Sequence, residues 1–196
     1  MPNTLTKYEM IDNYIYLYHT DTLILVPEYS ADSINDTMNV EYASTTPLSR
    51  SAPVYSYSHS GPRSLQVSFK LHRDMMSQIN LKNTKTKVNA GEDYVDRMIK
   101  EVQAAALPAY AVSQKMVNPP VVALRLSNEI FIKGVVSGGV SVSYERPILT
   151  NGKYACVSIG FSIQEIDPYD AQDAIKYGSF RGLSTTLERR IYRQAT

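Results

Sequence analysis

Polar and apolar residues alternate along SLQVSFKLH, the stretch numbered 64–72. Successive side chains of a β-strand point to opposite faces, so the apolar residues from Leu65 to Leu71 share one face and the polar residues share the other. Residues 154–164 repeat the pattern. These two half-buried strands predict an antiparallel sheet with a core on one side and, on the other, a polar surface that is wet or pressed on a neighbour.

Shorter stretches extend this pattern along the chain. They are separated by residues typical of turns, which favours an antiparallel meander. Its predicted strands are 121–126, 130–136, 140–144 and 154–163, with turns at Ser127-Asn128, Gly138-Gly139 and 150–152. Nearer the N-terminus, apolar runs at 14–18 and 23–26 predict a hairpin whose polar turn carries His19.

One flanking helix is predicted beside the strands. Apolar residues recur at helical spacing after Glu92-Asp93, whose acids suit the positive end of the helix dipole, and Pro108 follows the last of them. The helix is placed at about 92–107, with its apolar stripe on the core. A surface loop is predicted at 75–91 and a short helix at 171–177.

The remaining segments are assigned from composition. Residues 27–63 are rich in Ser, Thr, Asn and Pro but still alternate at 37–43 and 54–57, which indicates a long hairpin arm rather than a disordered linker. The predicted organisation is therefore one β domain at 1–168, followed by a basic C-terminal extension at 169–196.

Composition bounds the class of protein. The chain has 20 Lys and Arg against 19 Asp and Glu, a formal net charge of +1 that gives no general attraction to a polyanion or an acidic membrane. The lone Cys156 excludes an intrachain disulfide, and its place in a predicted strand favours packing over nucleophilic chemistry.

We recognise no secretory signal or membrane-spanning run, so no export by that route and no membrane partner are expected. Fifteen tyrosines and no tryptophan fit either an interface or simple strand preference.

The sequence contains no recognisable catalytic or metal-binding pattern. His72-Arg73-Asp74 superficially resembles a kinase catalytic loop, but the sequence has no glycine-rich nucleotide loop and no Asp-Phe-Gly. A metal site between His59 and His72 across a hairpin lacks further ligands nearby, so two surface histidines are the better interpretation. Glu92-Asp93 is explained by the helix start rather than by a glycosidase pair. We therefore predict no enzyme and no catalytic, cofactor or metal site.

Two regions of the chain carry a family resemblance. The first runs from Ser33-Ile34-Asn35-Asp36 through TPLSRSAP at 46–53 to GPRSLQVSFKLHRD at 61–74. The second spans 121–168, with a Gly-Val-Val strand, a Val-Ser-Val-Ser-Tyr strand, an Asn-Gly turn and a closing FSIQEIDP. Over about residues 20–168, the chain resembles the baseplate and tail-tube initiator proteins of contractile-tailed bacteriophages and related injection systems.

The resemblance implies a mainly β tail-tube fold, an antiparallel β-sandwich or barrel with one flanking α-helix and a long hairpin arm. It also implies six copies closing into a ring, with two long hairpins per copy contributing to a continuous inner barrel. Edge pairing between subunits removes the liability of exposed strand edges. The polar strand faces around 37–43, 54–57, 64–72 and 140–144 then line a wet channel of low charge, in which DNA is a transient passenger that does not stick.

The function that this resemblance implies is a structural virion protein, assembled in the host cytoplasm. It forms a ring at the baseplate-proximal end of a tail tube and joins the hub to the tube. Its implied partners are further copies of itself and neighbouring tube and baseplate hub proteins. The basic charge of 169–196 and its position outside the core motivate a separate hypothesis, in which this segment contacts a neighbouring ring, a sheath initiator or a hub protein. Some relatives continue into a LysM peptidoglycan-binding module, but 169–196 is too short for one, so cell-wall binding is not carried over.

A second hypothesis is a monomeric β-barrel binding module for nucleic acid or a partner protein. The near-neutral charge and the lack of a basic strand face count against nucleic acid. An enzyme is the third hypothesis.

Overall fold

The computed structural model describes residues 13–26, 31–77, 92–111, 116–127, 129–167 and 170–178. Antiparallel strands dominate these residues, as predicted. The strands are β1 (Asn13–Leu17), β2 (Thr22–Val26), β3 (Ala31–Thr37), β4 (Val40–Thr45), β5 (Val54–Ser60), β6 (Ser64–His72), β7 (Ala109–Ala111), β8 (Met116–Asn118), β9 (Val121–Leu126), β10 (Ile130–Ile148) and β11 (Tyr154–Glu165). The helices are α1 (Arg73–Ser77), α2 (Tyr94–Ala104) and α3 (Ala171–Tyr177).

Seven of these strands form the main sheet. Their order is β2-β1-β9-β10-β11-β6-β3, and every neighbouring pair is antiparallel. The pairs β4-β5 and β7-β8 form two separate two-stranded sheets. Because the order is linear, β2 and β3 are the two outer strands of the described main sheet. The predicted β1-β2 hairpin is confirmed, with His19 in its turn.

The main core lies on one face of this sheet. Leu65, Val67, Phe69 and Leu71 of β6 are fully buried, and β11 sets Ile163, Phe161, Ile159 and Val157 directly opposite them. Residues opposite each other in an antiparallel ladder share a face, so the two alternating stretches form one apolar layer. Each large apolar side chain that is fully buried stabilises the fold by about 1.5–3 kcal/mol.

Helix α2 covers this apolar layer. Asp93 is its N-cap, and the side chains of Asp93 and Asp96 each accept a hydrogen bond from the other residue's backbone N–H, which makes a capping box. The apolar stripe of the helix is buried in the main core, as predicted; it consists of Tyr94, Val95, Met98, Ile99 and Val102. The helix ends at Ala104 rather than 107, because proline disfavours helical backbone in the residue before it, and Pro108 follows closely.

The predicted turn at Gly138-Gly139 is wrong. Strand β10 continues through it for 19 residues. The two glycines have φ values of 73° and 90°, and the register with β11 shifts between Ser137 and Val140, which marks a β-bulge. Backbone freedom at two glycines therefore kinks one long strand instead of reversing it, and the predicted four-stranded meander has three strands.

The predicted strand at 37–43 is divided between two sheets. Thr37 ends β3, which belongs to the main sheet, and Val40 begins β4, whose one described partner strand is β5. The break lies opposite Pro62, which has no N–H to continue a ladder. The predicted arm at 27–63 is therefore not one unit: β3 is built into the main sheet, and the β4-β5 hairpin extends beyond it.

Two short helices flank the strands. Helix α1 begins before the predicted loop at 75–91 because Met76 turns into the main core; residues 78–91 lie outside the described ranges. Helix α3 confirms the short helix predicted at 171–177, and its N-cap Asp170 accepts a hydrogen bond from the Asp173 N–H at 2.8 Å. No helix in the described ranges combines the length and apolarity needed to cross a bilayer.

Arg63 fastens the outer strand β3 to the sheet. Its guanidinium is 1% exposed and donates to both carboxylate oxygens of Asp36, at 2.7 to 3.0 Å. It also donates to the carbonyl oxygen of Phe131 at 3.0 Å. A two-pronged charged hydrogen bond of this kind fixes geometry as well as adding attraction, so β3 and β10 are held in place by one buried side chain.

A second ionic cluster ties the turn between β10 and β11 to helix α2. Lys153 Nζ lies 2.5 Å from Asp96 Oδ2 and 3.4 Å from Asp93 Oδ2, and Arg73 pairs with both aspartates. Arg73 also donates to the carbonyl oxygen of Tyr154 at 2.7 Å. Partial burial favours the neutral form of Asp96, but the hydrogen bonds from Lys153 and Arg73 outweigh it and hold the pKa of Asp96 below its usual range.

Replacing Gly134 with alanine is expected to destabilise the fold by about 3 kcal/mol or more. A methyl group there would lie 2.0 Å from the carbonyl oxygen of Gln164, which is backbone of the neighbouring strand and cannot move aside. The matched control is Gly160→Ala, whose methyl comes within 2.9 Å of the rotatable hydroxyl of Ser141 and lies at an ordinary contact distance, 3.8 Å, from the carbonyl oxygen of Val67. Urea unfolding should give a large loss for the first variant and a change within about 1 kcal/mol for the second; equal losses would contradict the packing described.

Acid should weaken the link between Lys153 and helix α2. The pKa of Asp96 is lower in the folded state than in the unfolded state, where it is near 4. Ionised Asp96 therefore adds to the unfolding free energy above the unfolded-state pKa, and this contribution is lost as the pH falls through the folded-state pKa. Asp96→Asn should lower stability at neutral pH and flatten its decline in acid. Glu129→Gln, which removes an exposed carboxylate from the turn after β9, should leave the profile unchanged. Parallel pH profiles for the wild type and Asp96→Asn would refute this role of Asp96.

Candidate functional site

The candidate site is the face of β3, β6, β11 and the second half of β10 that points away from the main core. We call it the polar sheet face. Register places its residues side by side across the four strands, as in the row Ser68, Gly160 and Ser141. Its residues with described side-chain positions are Ser33, Asn35, Thr37, Ser64, Gln66, Ser68, Lys70, His72, Ser137, Ser141, Ser143, Glu145, Cys156, Ser158, Gly160, Ser162 and Gln164.

The polar sheet face is hydroxyl-rich and open to solvent. All of its residues are half-buried or exposed, in contrast to the fully buried residues that alternate with them in β6 and β11. Some hydroxyls bond locally, as when Ser141 Oγ donates to the carbonyl oxygen of Gly160 at 3.1 Å and Thr37 Oγ1 donates to that of Ser64 at 3.2 Å. Short polar side chains of this kind remain well hydrated and hold no fixed charge.

Charge on this face is confined to one end. Lys70 Nζ lies 2.7 Å from Glu145 Oε2, and Ser158 Oγ, between them, donates to Glu145 Oε1 at 3.0 Å. The hydrogen bond from Lys70, joined by that from Ser158, lowers the pKa of Glu145. Among the described side chains of the face, Lys70 is the one permanent cation and Glu145 the one carboxylate.

The three histidines are dispersed. His72 lies opposite Cys156 in the main sheet, with Nδ1 2.9 Å from Sγ, whereas His59 lies opposite Glu41 in the β4-β5 hairpin. The register therefore keeps His59 and His72 apart. His19 donates through Nε2 to the carbonyl oxygen of Ala104 at 3.2 Å, which packs the β1-β2 turn on the end of α2. Over the described ranges, no group of three or more His, Cys, Asp or Glu side chains is placed to hold a metal ion.

Two free strand edges bound the polar sheet face. Strand β9 pairs with β10 only along 130–135, so the outer edge of β10 from Ser137 to Ile148 has no strand beside it among the described residues. On the other side, β3 pairs with β6 and has no described neighbour beyond it. Both edges present backbone N–H and C=O groups in the arrangement that accepts a further strand.

The β4-β5 hairpin carries a separate aromatic surface. Tyr42 and Tyr57 lie opposite each other with ring centroids 5.8 Å apart in an edge-to-face pair, and Tyr55 lies on the same face, opposite Ser44. All three tyrosines are more than half exposed. A lone two-stranded hairpin is marginally stable in water, so this surface is suited to a contact. Of the two explanations for the many tyrosines, an interface therefore fits these three, whereas the buried Tyr14 and Tyr16 serve strand packing.

No family model matches the chain, and no curated protein matches it. Solved structures with detectable similarity include a chain from the tail of an empty gene transfer agent particle with sixfold symmetry, at 13% identity and a TM-score of 0.38; the match covers 82% of this chain and 96% of that one. Another is a chain from the virion of a native gene transfer agent particle, at 12% identity and a TM-score of 0.37, covering 80% of this chain and 96% of that one.

Proposed function

We propose that this chain is a structural subunit of a phage-type tail tube, in which copies join edge to edge into a ring around a channel. The observation that supports the proposal best is the polar sheet face bounded by two free strand edges. Unpaired edges invite another strand, and a chain with one such edge at each end of the same face is suited to closing on copies of itself.

Strand direction favours pairing between β3 of one copy and β10 of the next. The segment β10-β11-β6-β3 has four strands that alternate in direction. When copies are related by rotation about the ring axis, the β3 of one copy runs antiparallel to the β10 of the next. The antiparallel ladder therefore continues across each β3–β10 contact between copies, which we call the seam. The contact uses two different edges, which makes it a head-to-tail interface of the kind that closes into rings.

The diameter of such a ring follows from its number of strands. With the six copies that the family resemblance implies, about 24 strands spaced at about 4.8 Å give a barrel with a backbone diameter of roughly 37 Å before strand tilt is counted. The polar sheet face would line its inner wall and the main core would lie outside it. The barrel that the resemblance implies is then a property of the assembly, built from an open sheet in each copy.

The position of the subunit within a particle follows the resemblance. We propose a ring at the baseplate-proximal end of the tube, between the hub and the tube, in a virion assembled in the host cytoplasm. DNA would pass through without being held. In the proposed extension at 169–196, helix α3 leaves Ile175 87% exposed and Tyr177 half exposed, which suits docking on a neighbouring ring or a sheath initiator.

One set of variants tests both whether rings form and whether β3 and β10 make the contact between copies. Full-length wild-type protein should give rings with an open centre in negative stain and a multimer mass by light scattering. Asn35→Lys on β3 combined with Ser143→Lys on β10 places like charges at the two edges of each seam and should shift the protein to monomers at low salt. The matched control, Asn35→Glu with Ser143→Lys, places opposite charges there and should retain rings.

Circular dichroism and urea unfolding would check that each variant is folded. Folded wild-type monomers at every concentration would contradict the ring and favour the monomeric binding module. Rings that form equally well with both charge combinations would show that the seam lies elsewhere.

A further inference from the structure

We infer that Pro119 and Pro120 are positioning residues that keep the outer edge of β10 open for the β3 of another copy. They do so by ending β9 before it can extend along β10. The inference rests on the proposed function for its partner, a second copy of this chain, but its structural basis lies within one chain. It explains why β10, with 19 residues, pairs with β9 only along 130–135.

The register between β9 and β10 shows what the prolines prevent. Val121, the first residue of β9, lies opposite Val135. Each earlier residue of an antiparallel strand lies opposite a later residue of its partner. An earlier start of β9 would therefore set Pro120 and Pro119 beside the next two residues of β10. Residues 116–118 would then follow along the edge that the proposed ring uses as its seam.

Two successive prolines remove the ladder donor whichever way each of them faces. Neighbouring residues of a strand direct their N–H groups to opposite edges, so one of the two would have to donate towards β10. Proline has no N–H, and both positions are proline. The chain also turns here, because the N–H of Val121 donates to the carbonyl oxygen of Pro119 at 2.9 Å, the two-residue spacing of a γ-turn.

The residues before the prolines pair elsewhere. Strand β8, residues Met116–Asn118, pairs with β7 in a separate two-stranded sheet. Each of these strands has three residues, and a hairpin of this size is marginally stable on its own. The β7-β8 pairing alone would therefore not keep this segment from the longer edge of β10, and the prolines supply the missing barrier.

Strand β10 bends at the matching point. Its register with β11 shifts after Ser137, just beyond the pairing with β9, and Gly138 and Gly139 have positive φ. A bulge bends a strand and increases its twist. A methyl group on either glycine would meet no described atom within 4 Å apart from its chain neighbours, so the described chain leaves space beside the bend. The prolines and the glycines together separate β9 from the second half of β10.

The test replaces both prolines with threonine, which restores two N–H groups and favours strands. In Pro119→Thr with Pro120→Thr, β9 should extend along β10. Hydrogen exchange is followed by mass spectrometry over residues 140–146 of the full-length chain, in the Asn35→Lys, Ser143→Lys background whose like charges oppose ring formation. The exchange should slow by about fivefold or more, as expected from one added hydrogen bond. Without the two lysines, the proline variant should form fewer rings than the wild type in negative stain.

The matched control is Pro47→Thr with Pro53→Thr, which makes the same two replacements between β4 and β5, outside the main sheet. It should leave the exchange and the rings unchanged. Equal changes in both double variants would attribute the effect to the loss of proline as such and overturn the inference. Unchanged exchange over 140–146 in the folded Pro119, Pro120 variant would overturn it too.

Circular dichroism and urea unfolding check that each variant is folded. If the double variant does not fold, the single variants Pro119→Thr and Pro120→Thr carry the test, because one of them restores the N–H that faces β10. Slower exchange in one single variant would support the inference, and unchanged exchange in both would refute it.

The result can be distinguished from a failure of the proposed function. Slower exchange together with the loss of rings supports both. Slower exchange in a protein whose wild type is monomeric would refute the ring and still show that the prolines end β9. Slower exchange with rings retained would place the seam elsewhere and overturn the assignment of this edge to another copy. Loss of rings without slower exchange would refute the role of the prolines and leave the ring standing.

Discussion

Backbone hydrogen bonding along strand edges is the constraint on which this protein depends. Each edge residue presents polar groups that need a partner, and a long unpaired edge is a liability for an isolated chain. Here β10 extends beyond its pairing with β9 for about two thirds of its length, and β3 is the outer strand on the opposite side of the same four strands. The buried guanidinium of Arg63 holds β3 in position by donating hydrogen bonds to Asp36. The outer strand β3 is thus held in place although no described strand lies beside its free edge.

Alternation with period two determines which surface of the sheet is polar and which faces the core. Because that rule is local, the sequence alone predicts β6, β11 and helix α2 closely, and it predicts the polar character of the sheet face. The continuous β10 was not predictable, because two glycines fit a turn or a bulge equally well and only the partner strand decides. The pairs Arg63–Asp36 and Lys70–Glu145 join residues distant in sequence, so no spacing pattern indicates them.

The proposed function rests on a surface more than on a pocket. Small hydroxyl-bearing side chains keep the face hydrated. Among its described side chains, the one permanent cation, Lys70, pairs with the carboxylate of Glu145 across β11. The aromatic β4-β5 hairpin lies outside this face and supplies a different kind of contact surface. Separate regions of one short chain thus provide a core, a polar sheet face and an exposed aromatic hairpin.

The most direct test of the account is cross-linking across the seam. In a Cys156→Ser background, cysteines replacing Asn35 on β3 and Ser143 on β10 lie at least three strand spacings apart within one chain, about 14 Å, beyond the span of the shortest bismaleimide reagents. In the proposed ring, the edges of β3 and β10 that carry these residues lie one strand spacing apart in adjoining copies, about 4.8 Å. The account predicts a ladder of covalent multimers that ends at a closed ring. Fully modified protein that remains monomeric would contradict it.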